Sequence, residues 1–232
     1  MNFTDNTLNK INIAIDGWSA CGKGTLAKSL AKELNYIFID SGAMYRAFTL
    51  AALRNKIEPS DTNEIKKLTE VTNIHFETND NTGEYEIWLN NEMVETQIRD
   101  TEVASKVSHY AQLSPVRQFL VSQQQEIGKN KGVVMDGRDI GTVVFPNAEL
   151  KIFMTAKPEI RAQRRYQEFK QKGKDVSLEE IAANLTERDF IDSNRSDSPL
   201  VQAEDARILD NSNLTIPQQL QIALDWAKNI LH

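Results

Sequence analysis

The chain has 232 residues, of which 40% are hydrophobic and 26% charged, as is typical of a globular protein with a sizeable core. Its 27 Lys and Arg residues against 33 Asp and Glu give a formal net charge of −6, which argues against binding to a nucleic-acid polymer or an anionic membrane. Cys21 is the only cysteine, so an intramolecular disulfide and a cysteine-based zinc cluster are excluded.

The sequence carries no pattern of a targeting signal or a membrane span. Residues 1–10 lack the apolar segment of a signal peptide, and no run of about 18 apolar residues is present to cross a bilayer. The histidines His75, His109 and His232 are far apart in the chain and form no metal-binding pattern. We therefore expect a cytoplasmic protein.

Alternating strand and helix patterns predict an α/β fold. Short apolar segments are typical of strands buried on both faces of a parallel sheet, and they lie at 11–16, 36–40, 133–136, 150–155 and 206–210. Helical patterns separate most of them, at 23–34, 43–55, 115–129, 158–172, 178–190 and 217–231. This order predicts a five-stranded parallel sheet with helices on both faces.

Two segments interrupt this alternation. Residues 58–100 contain a helix at 62–72 and then a small antiparallel meander with a turn at Asn79–Gly83, so we interpret them as an insert. Residues 156–200 form a helical hairpin that is rich in Arg and Lys. The core domain is expected to consist of the remaining segments, 1–57, 101–155 and 201–232.

A glycine-containing motif after the first strand predicts a phosphate-binding loop. Gly17 and Gly22-Lys23 have the GxxxxGK spacing, and a helical pattern begins at the lysine. In such a loop, backbone N–H groups and the helix N-terminus surround phosphate oxygens, and the lysine adds a mobile positive charge. We call this segment the P-loop and predict that nucleotide phosphates are bound by Gly17, Trp18, Ser19, Ala20, Cys21, Gly22, Lys23, Gly24 and Thr25.

The residues after Lys23 resemble the GKGT form of the P-loop that is found in nucleoside monophosphate kinases. Thr25 is expected to contact Mg²⁺ either directly or through a water molecule. Shikimate kinases and GTPases resemble the motif less, because they normally carry Ser or Thr directly after the lysine. Cys21 is either a small residue in a tight turn or a thiol made acidic by Lys23 and the helix N-terminus.

Further motifs extend the resemblance to the bacterial cytidylate kinase family. DSGAMYR at 40–46 follows the second predicted strand, and DGRDIGTVVFP at 136–146 follows the third. Both lie at the carboxyl ends of parallel strands, where open α/β sheets bind ligands. The resemblance covers the chain from about residue 11 to the last helix, with shorter matches at Ser105, 115–117 and 188–195.

This resemblance implies the fold of a P-loop kinase, with ATP and Mg²⁺ as cofactors and CMP or dCMP as the acceptor. The insert corresponds to the monophosphate-binding domain of that family, and residues 156–200 correspond to its lid. The implied catalytic residues are Lys23, Arg138 and Arg188. The implied substrate-binding residues are Ser41, Arg46, Ser105, Arg117, Arg138, Asp139, Arg188, Asp192 and Arg195.

The chemistry of cytosine suits these residue types. Cytosine presents the acceptors O2 and N3 beside the N4 amino donor, so an arginine and an aspartate together can read it. The planar fork of arginine also binds phosphate oxygens bidentately. The resemblance assigns the base to Arg117, Asp139 and Ser105, the acceptor phosphate to Ser41, Arg46 and Arg138, the sugar side to Asp192 and Arg195, and closure near the phosphates to Arg188.

The metal site and the lid are less closely defined by the motifs. Asp136 ends an apolar strand in the position of a Mg²⁺-supporting acid, and Asp16 ends the first strand in a similar way. The metal-binding residues are therefore predicted as Thr25 and Asp136. At least one of the lid arginines is expected to reach ATP, among Arg161, Arg164 and Arg165.

The P-loop departs from the family pattern at two positions. Trp18 stands where a small residue or Pro is usual, and it either packs on a core helix or borders the nucleotide. Ala20 replaces a frequent glycine, which limits the backbone angle φ at that position.

Two other functions remain open at the level of the sequence. One is a kinase for another monophosphate, such as AMP or UMP, and the other is a non-catalytic nucleotide-binding or regulatory module. A module of the second kind is expected to lack an acceptor site. The predicted partners are small-molecule substrates, without nucleic acid or membrane, and the protein is expected to be a monomer.

Overall fold

The computed structural model describes residues 10–231, with the exception of residues 81, 84 and 172. The signal-peptide expectation for residues 1–9, His232 and the turn residue Asn81 therefore lie outside the described residues. In chain order the strands are β1 (Asn12–Gly17), β2 (Ile37–Asp40), β3 (Ile74–Thr78), β4 (Tyr85–Leu89), β5 (Glu92–Met93), β6 (Val133–Gly137), β7 (Leu150–Thr155) and β8 (Arg207–Asp210).

The helices cover both faces of the sheet and build the insert and the lid. In chain order they are α1 (Lys23–Leu34), α2 (Ser41–Arg54), α3 (Thr62–Val71), α4 (Thr101–Ala111), α5 (Ser114–Ile127), α6 (Pro158–Gln171), α7 (Leu178–Asn194) and α8 (Ile216–Leu231). A π-helix also occurs at Ile140–Val144. No helix in the described part of the chain is both long and apolar enough to cross a membrane.

The predicted five-stranded parallel sheet is confirmed, with the strand order β2-β6-β1-β7-β8. The central strand β1 pairs with β6 on one side and with β7 on the other, both in parallel. Ile13, Ala14 and Ile15 in β1 are fully buried, because helices cover both faces of the sheet. The carboxyl ends of β1, β2 and β6 consequently lie next to one another at one edge of the sheet.

The meander predicted for the insert is also present. Strands β3, β4 and β5 form an antiparallel sheet, and the turn before β4 is closed by a 2.7 Å hydrogen bond from Gly83 N to Asn79 O. In this sheet His75 stacks on Trp88, with ring centroids 6.3 Å apart. The buried side chains of the insert join one apolar cluster with those of α2, α4 and α5, so the insert has no separate core.

The lid is a hairpin of α6 and α7. Pro158 occupies the first position of α6, and the side chains of Ser177 and Glu180 form a reciprocal capping box at the start of α7. A small apolar cluster of Ala162, Ile181 and Leu185 holds the two helices together, and Ala20 of the P-loop packs against it. At the far end of the chain, Arg207 of β8 lies over the ring of Trp226 in α8.

Helix α4 is the element that the sequence patterns did not predict. It begins directly after the insert and packs against α2 and against the lid helix α7. Its buried face contains Val103, Val107 and Tyr110, and the hydroxyl of Tyr110 donates a 2.7 Å hydrogen bond to Ile57 O. This helix closes one side of the cavity above the sheet.

Candidate active site

The P-loop has the backbone that its motif predicts. Gly17 has φ 148°, and a Cβ atom at this position would lie only 2.1 Å from Met154 O. Gly22 has φ 93°, which an L-residue rarely adopts. Ala20 has φ 57°, so the alanine takes the left-handed conformation although it carries a Cβ. The backbone of the loop is thus set by two glycines and one alanine.

Lys23 lies in the first turn of α1 with its side chain buried. Its Nζ donates a 2.8 Å hydrogen bond to Trp18 O, across the P-loop. Burial, together with the nearby charge of Arg138, lowers the pKa of Lys23 below its ordinary value. Thr25 is exposed and lines the same cavity. The loop therefore presents one buried cation and one accessible hydroxyl to a ligand.

The side chains of Trp18 and Cys21 do not line this cavity. The indole of Trp18 packs edge-on against Phe153 of β7, with ring centroids 6.4 Å apart. The packing alternative for Trp18 is therefore the observed one, although its neighbour is a strand residue rather than a helix. Cys21 is fully buried in the apolar cluster beneath the loop, and its Sγ accepts a weak 3.9 Å hydrogen bond from Lys23 Nζ, so both alternatives for Cys21 stay open.

Two strand-terminal acids lie side by side at the edge of the sheet. Asp40 of β2 is in register with Asp136 of β6. Burial, together with the charge of Asp40, raises the pKa of Asp136 to about 7. Burial alone would raise the pKa of Asp40 as well, but Arg46 and Arg99 outweigh it, so that pKa is lowered.

Asp136 also has the features of a cation ligand. Its Oδ1 is buried and has no hydrogen-bond partner among the described residues. A Cβ built on Gly24, beside Thr25, would lie 4.0 Å from Asp136 Oδ2. Carboxylate and hydroxyl oxygens are the ligands that Mg²⁺ prefers, so this donor set fits the ion.

Asp16 has a different role from Asp136. Its Oδ1 and Oδ2 accept hydrogen bonds of 2.8 and 2.7 Å from the N–H groups of Ile140 and Gly141. These residues begin the π-helix that follows Asp139. Both oxygens of Asp16 thus accept backbone N–H groups, and Asp16 does not line the cavity, so the metal-supporting role considered for it stays a prediction.

A buried ionic cluster lies at the end of β6, around Asp139. One carboxylate oxygen of Asp139 accepts a hydrogen bond from Arg117 Nη2, and Arg195 Nη2 lies 3.5 Å from the other. Arg117 also donates a 3.1 Å hydrogen bond to Ala111 O and lies over the ring of Tyr45. Burial lowers the pKa of Arg117, but Asp139 more than offsets this and the net shift is upward.

Ser105 lies outside this cluster. It is exposed on α4, and its Oγ donates a 2.9 Å hydrogen bond to Glu102 O. The face of α4 that lines the cavity instead carries Ala104 and Val107. The sequence prediction that Ser105 reads the base is therefore not supported by its position.

The residues expected at the acceptor phosphate line the opposite side of the same cavity. Ser41 begins α2 and donates a 2.6 Å hydrogen bond to Asp136 O. Arg46, one turn further along α2, pairs with Asp40 at 2.7 Å, and its Nε has no partner in the part of the chain that the structure describes. Both side chains are thus fixed by the ends of β2 and β6.

Arg138 connects the acceptor side to the P-loop. Its Nε donates a 2.8 Å hydrogen bond to Asp192 Oδ2, and its Nη2 donates a 3.0 Å hydrogen bond to Ser19 Oγ. Asp192 is buried, and the neighbouring cations Arg138 and Arg195 outweigh its burial, so that its pKa is lowered. This arrangement keeps Asp192 ionised at neutral pH.

Arg188 extends from α7 towards the same space. Its Nε is buried without a hydrogen-bond partner in the described residues. Burial, together with the nearby Arg138, lowers the pKa of Arg188 to about 10. A desolvated guanidinium with an open donor is an arrangement that an anionic ligand would relieve.

The three arginines of α6 differ in position. Arg165 lines the cavity, stacked over Phe169 and paired with Glu168 at 2.7 Å. Arg164 donates two 2.9 Å hydrogen bonds to the side-chain and backbone oxygens of Asn211. Arg161 is buried against the P-loop. Of the three, only Arg165 lines the cavity.

One cavity of about 960 Å³ brings the P-loop and the acceptor-side residues together. The sequence-predicted residues that line it are Ser19, Ala20, Gly22, Lys23, Gly24, Thr25, Ser41, Arg46, Arg117, Asp136, Arg138, Asp139, Arg188, Asp192 and Arg195. The predicted residues that do not line it are Gly17, Trp18, Cys21 and Ser105.

Sequence reasoning missed several residues that shape this cavity. Tyr45 stacks on Arg117, and its buried Oη has no partner among the described residues. Asp40 fixes Arg46, and Asp189 contacts the P-loop. Tyr45, Asp40 and Asp189 all lie inside sequence motifs from which other site residues are predicted. Asn211 donates hydrogen bonds to Cys21 O and to a side chain of α8, and no motif marks it.

Comparisons with known proteins show which family the chain resembles. A family model described as Cytidylate kinase matches residues 13–229. A cytidylate kinase of Bacteroides fragilis is 56% identical over 215 residues, covering 91% of this chain and 94% of that protein. A cytidylate kinase of Flavobacterium johnsoniae is 52% identical over 227 residues, covering 97% of this chain and 99% of that protein.

The solved structures that resemble the chain are more distant. An uncharacterized protein from Eubacterium ventriosum superposes with a TM-score of 0.52 at 10% sequence identity. The alignment covers 95% of this chain and 99% of that one. At this level of identity the similarity shows a shared fold alone.

Proposed function

The chain belongs to the cytidylate kinase family, and on that premise we propose that it transfers the γ-phosphate of ATP to CMP or dCMP. The products are ADP with CDP or dCDP, and the reaction belongs to pyrimidine nucleotide metabolism. The observation that carries the proposal is that a P-loop and the buried Arg117–Asp139 pair line the same cavity. A donor triphosphate and an acceptor base can therefore be held together.

The Arg117–Asp139 pair supports a preference for cytosine. An arginine N–H group suits the acceptors O2 and N3, and a carboxylate suits the N4 amino group. Uracil presents a carbonyl at position 4, which would face Asp139 as a second acceptor. Two buried acceptors that face each other without a hydrogen between them cost about 2–3 kcal/mol of binding free energy, or roughly a hundredfold in affinity.

Catalysis is proposed to rest on alignment and charge neutralisation. The acceptor phosphate is largely a dianion near pH 7, because its second pKa is about 6, so no strong general base is required. Lys23, Arg138 and Arg188 surround the space between the P-loop and the acceptor side and would neutralise charge on the transferring group. Closure of α6 and α7 over the cavity would exclude water, which would otherwise hydrolyse ATP.

The donor set at Thr25 and Asp136 supports Mg²⁺ as the accompanying ion. Bound there, Mg²⁺ would supply positive charge to the phosphates of ATP. Asp136 offers a buried oxygen without a partner among the described residues, and its pKa of about 7 means that a cation would favour the ionised form. Thr25 offers an exposed hydroxyl on the same cavity.

The experiment that tests the function is ADP formation from ATP with each nucleoside monophosphate in turn. We expect turnover with CMP and dCMP and a much lower rate with UMP and AMP. Equal rates with AMP would instead indicate a kinase for another monophosphate. No rate with any acceptor, despite binding of ATP, would indicate a non-catalytic module.

We propose further that the protein acts in the cytoplasm as a monomer on these small molecules. The basis is the sequence, which has one cysteine and lacks a basic excess. Light scattering after size exclusion should give a mass near 26.3 kDa, the mass of one chain. A mass near twice this value would contradict the monomer.

A further inference from the structure

Asp189 joins the lid to the P-loop. Its Oδ1 accepts a 3.1 Å hydrogen bond from the backbone N–H of Ser19, and its Oδ2 accepts a 2.5 Å hydrogen bond from Arg161 Nη1. Arg161 Nη1 also donates a 3.1 Å hydrogen bond to Ser19 O. One residue from each lid helix and one from the P-loop thus form a closed ring of contacts.

Ser19 is fully engaged by these contacts. Its side chain is buried, and its hydroxyl accepts a 3.0 Å hydrogen bond from Arg138 Nη2. The N–H, the carbonyl oxygen and the hydroxyl of Ser19 therefore each have a different partner. These partners come from the two lid helices and from the loop after β6, so Ser19 links three parts of the site.

The ring of contacts lies directly beside Arg188. Arg188 precedes Asp189 on α7, so a fixed Asp189 also fixes the helix turn from which Arg188 extends. Arg188 lines the cavity, and its buried Nε has no partner in the described part of the chain. Because this Nε has no hydrogen-bond partner there, the position of the Arg188 guanidinium depends strongly on its helix.

The lid does not depend on this ion pair alone. Ala20 packs against the apolar cluster of Ala162, Ile181 and Leu185, which also holds the lid to the P-loop. Removal of the Asp189 charge should therefore leave the lid folded and attached. What it should change is the angle at which α7 presents Arg188.

We infer that Asp189 is a positioning residue, which with Arg161 keeps Arg188 aligned with phosphates bound in the P-loop. The inference rests on the proposed function, because the reaction in which Arg188 acts is the proposed phosphoryl transfer. Asp189 itself does not line the cavity in which the acceptor base and the transferring group would be bound. Its effect should therefore appear in kcat and should require Arg188.

The test is a double-mutant cycle of Asp189→Asn with Arg188→Lys, with turnover measured at saturating ATP and CMP. We expect Asp189→Asn to lower kcat about tenfold or more in the otherwise unchanged protein, with little change in the KM for CMP. In the Arg188→Lys background the same substitution should lower kcat less than twofold. Arg161→Lys, which keeps the charge but loses the forked geometry, should behave like Asp189→Asn.

A matched control is Glu187→Gln, because Glu187 is exposed on α7 two residues away and the substitution removes the same charge. It should leave kcat unchanged. An equal loss in both backgrounds would show a general structural role and overturn the inference, as would no loss in the otherwise unchanged protein.

Turnover of the unsubstituted protein distinguishes a failure of this inference from a failure of the proposed function. Turnover with CMP is measured first, and its absence would overturn the proposed function alone if another monophosphate is phosphorylated. The cycle is then run with that acceptor and judged by the same criteria. No turnover with any monophosphate would overturn both.

Discussion

At the scale of single residues, Asp16 shows how a buried charge can organise a site without touching a ligand. Its two oxygens hold the first N–H groups of the π-helix, and Arg138 and Asp139 lie immediately before that helix. A Cβ on Gly141 would lie 3.3 Å from Asp16 Oδ2, so a larger residue there would force this carboxylate to shift by a few tenths of an ångström. The chain direction after Asp139 is thus fixed from the end of β1.

The burial of Asp16 predicts a pH-dependent contribution to stability. Burial raises its pKa from 3.8 to about 6, with Asp139 acting in the same direction and Lys23 in the opposite one. Between pH 3.8 and about 6, Asp16 therefore keeps its proton in the folded protein but has lost it in the unfolded chain. The stability that this group contributes consequently falls as the pH rises towards 6.

Denaturant unfolding at several pH values would measure this contribution. When the pH is lowered from 7.5 to 5, the free energy of unfolding of the natural protein should rise by about 1–2 kcal/mol relative to that of Asp16→Asn. Taking the difference cancels groups that titrate equally in both proteins. A difference that does not vary with pH would contradict the raised pKa.

Asp139 allows a test of base recognition. Asp139→Asn can no longer accept from the N4 amino group as a carboxylate, so the CMP preference over UMP should narrow by about tenfold or more in kcat/KM. Asp197→Asn is the matched control, because Asp197 lies 3.7 Å from Arg117 Nε and the same charge is removed. An unchanged CMP/UMP ratio in Asp139→Asn would mean that the base is read elsewhere.

At the scale of elements, the insert is part of the main packing rather than an appended module. Ile87 of β4 is fully buried in the apolar cluster that includes Phe48 of α2 and Leu120 of α5. An element that shares its core with two others cannot unfold without exposing their apolar surface too. We therefore expect the insert to unfold together with the rest of the chain.

Ile87→Ala tests this coupling. The substitution should lower the free energy of unfolding of the whole chain by about 2–5 kcal/mol and keep a single calorimetric transition. Ile208→Ala makes the same chemical change at a residue that is 58% exposed on β8, and it should cost less than about 1 kcal/mol. Two separate transitions in Ile87→Ala would show that the insert unfolds alone.

The elements that the sequence predicted correctly are those with strong local signals. The strands of the main sheet are mostly apolar, and α1 follows a turn that contains two glycines. Helix α4 is not predicted by the sequence patterns because it includes the buried polar Ser108 and lies at the boundary between the insert and the core. Its apolar residues Val103 and Val107 were a usable helical signal.

The contacts within the site were harder to predict, because they join residues that are distant in the chain. Asp16 and Asp136 both end apolar strands, and only the position of Ile140 and Gly141 shows that Asp16 is occupied by backbone N–H groups. Ser19 and Asp189 are 170 residues apart, and several lid acids were equal candidates for contact with the P-loop.

At the scale of the whole molecule, the charges are divided between an acidic segment, residues 58–102, and a basic site. Residues 58–102 contain 12 acidic and three basic residues, a net charge of −9, so the rest of the chain carries +3. Among the described residues that line the cavity, Lys and Arg outnumber Asp and Glu by eleven to seven. The cavity is therefore suited to anionic ligands in spite of the net negative charge.

This distribution predicts a salt effect on catalysis. The attraction between a polyphosphate and the cavity is screened within about 10 Å at 0.1 M salt. The value of kcat/KM for ATP should fall by a factor of about 2–10 between 20 and 200 mM KCl, with kcat less affected. Steady-state kinetics at constant free Mg²⁺ would measure it, and a kcat/KM that is independent of salt would contradict it.

The placement of the three tryptophans gives the molecule built-in optical reporters. Trp18 packs on Phe153 beside the P-loop, Trp88 stacks on His75 in the insert, and Trp226 lies under Arg207 near the end of the chain. Each indole has a different neighbour in a different region of the molecule. Variants that keep a single tryptophan would therefore let fluorescence follow donor binding, movement of the insert and unfolding of the core as separate signals, without any attached dye.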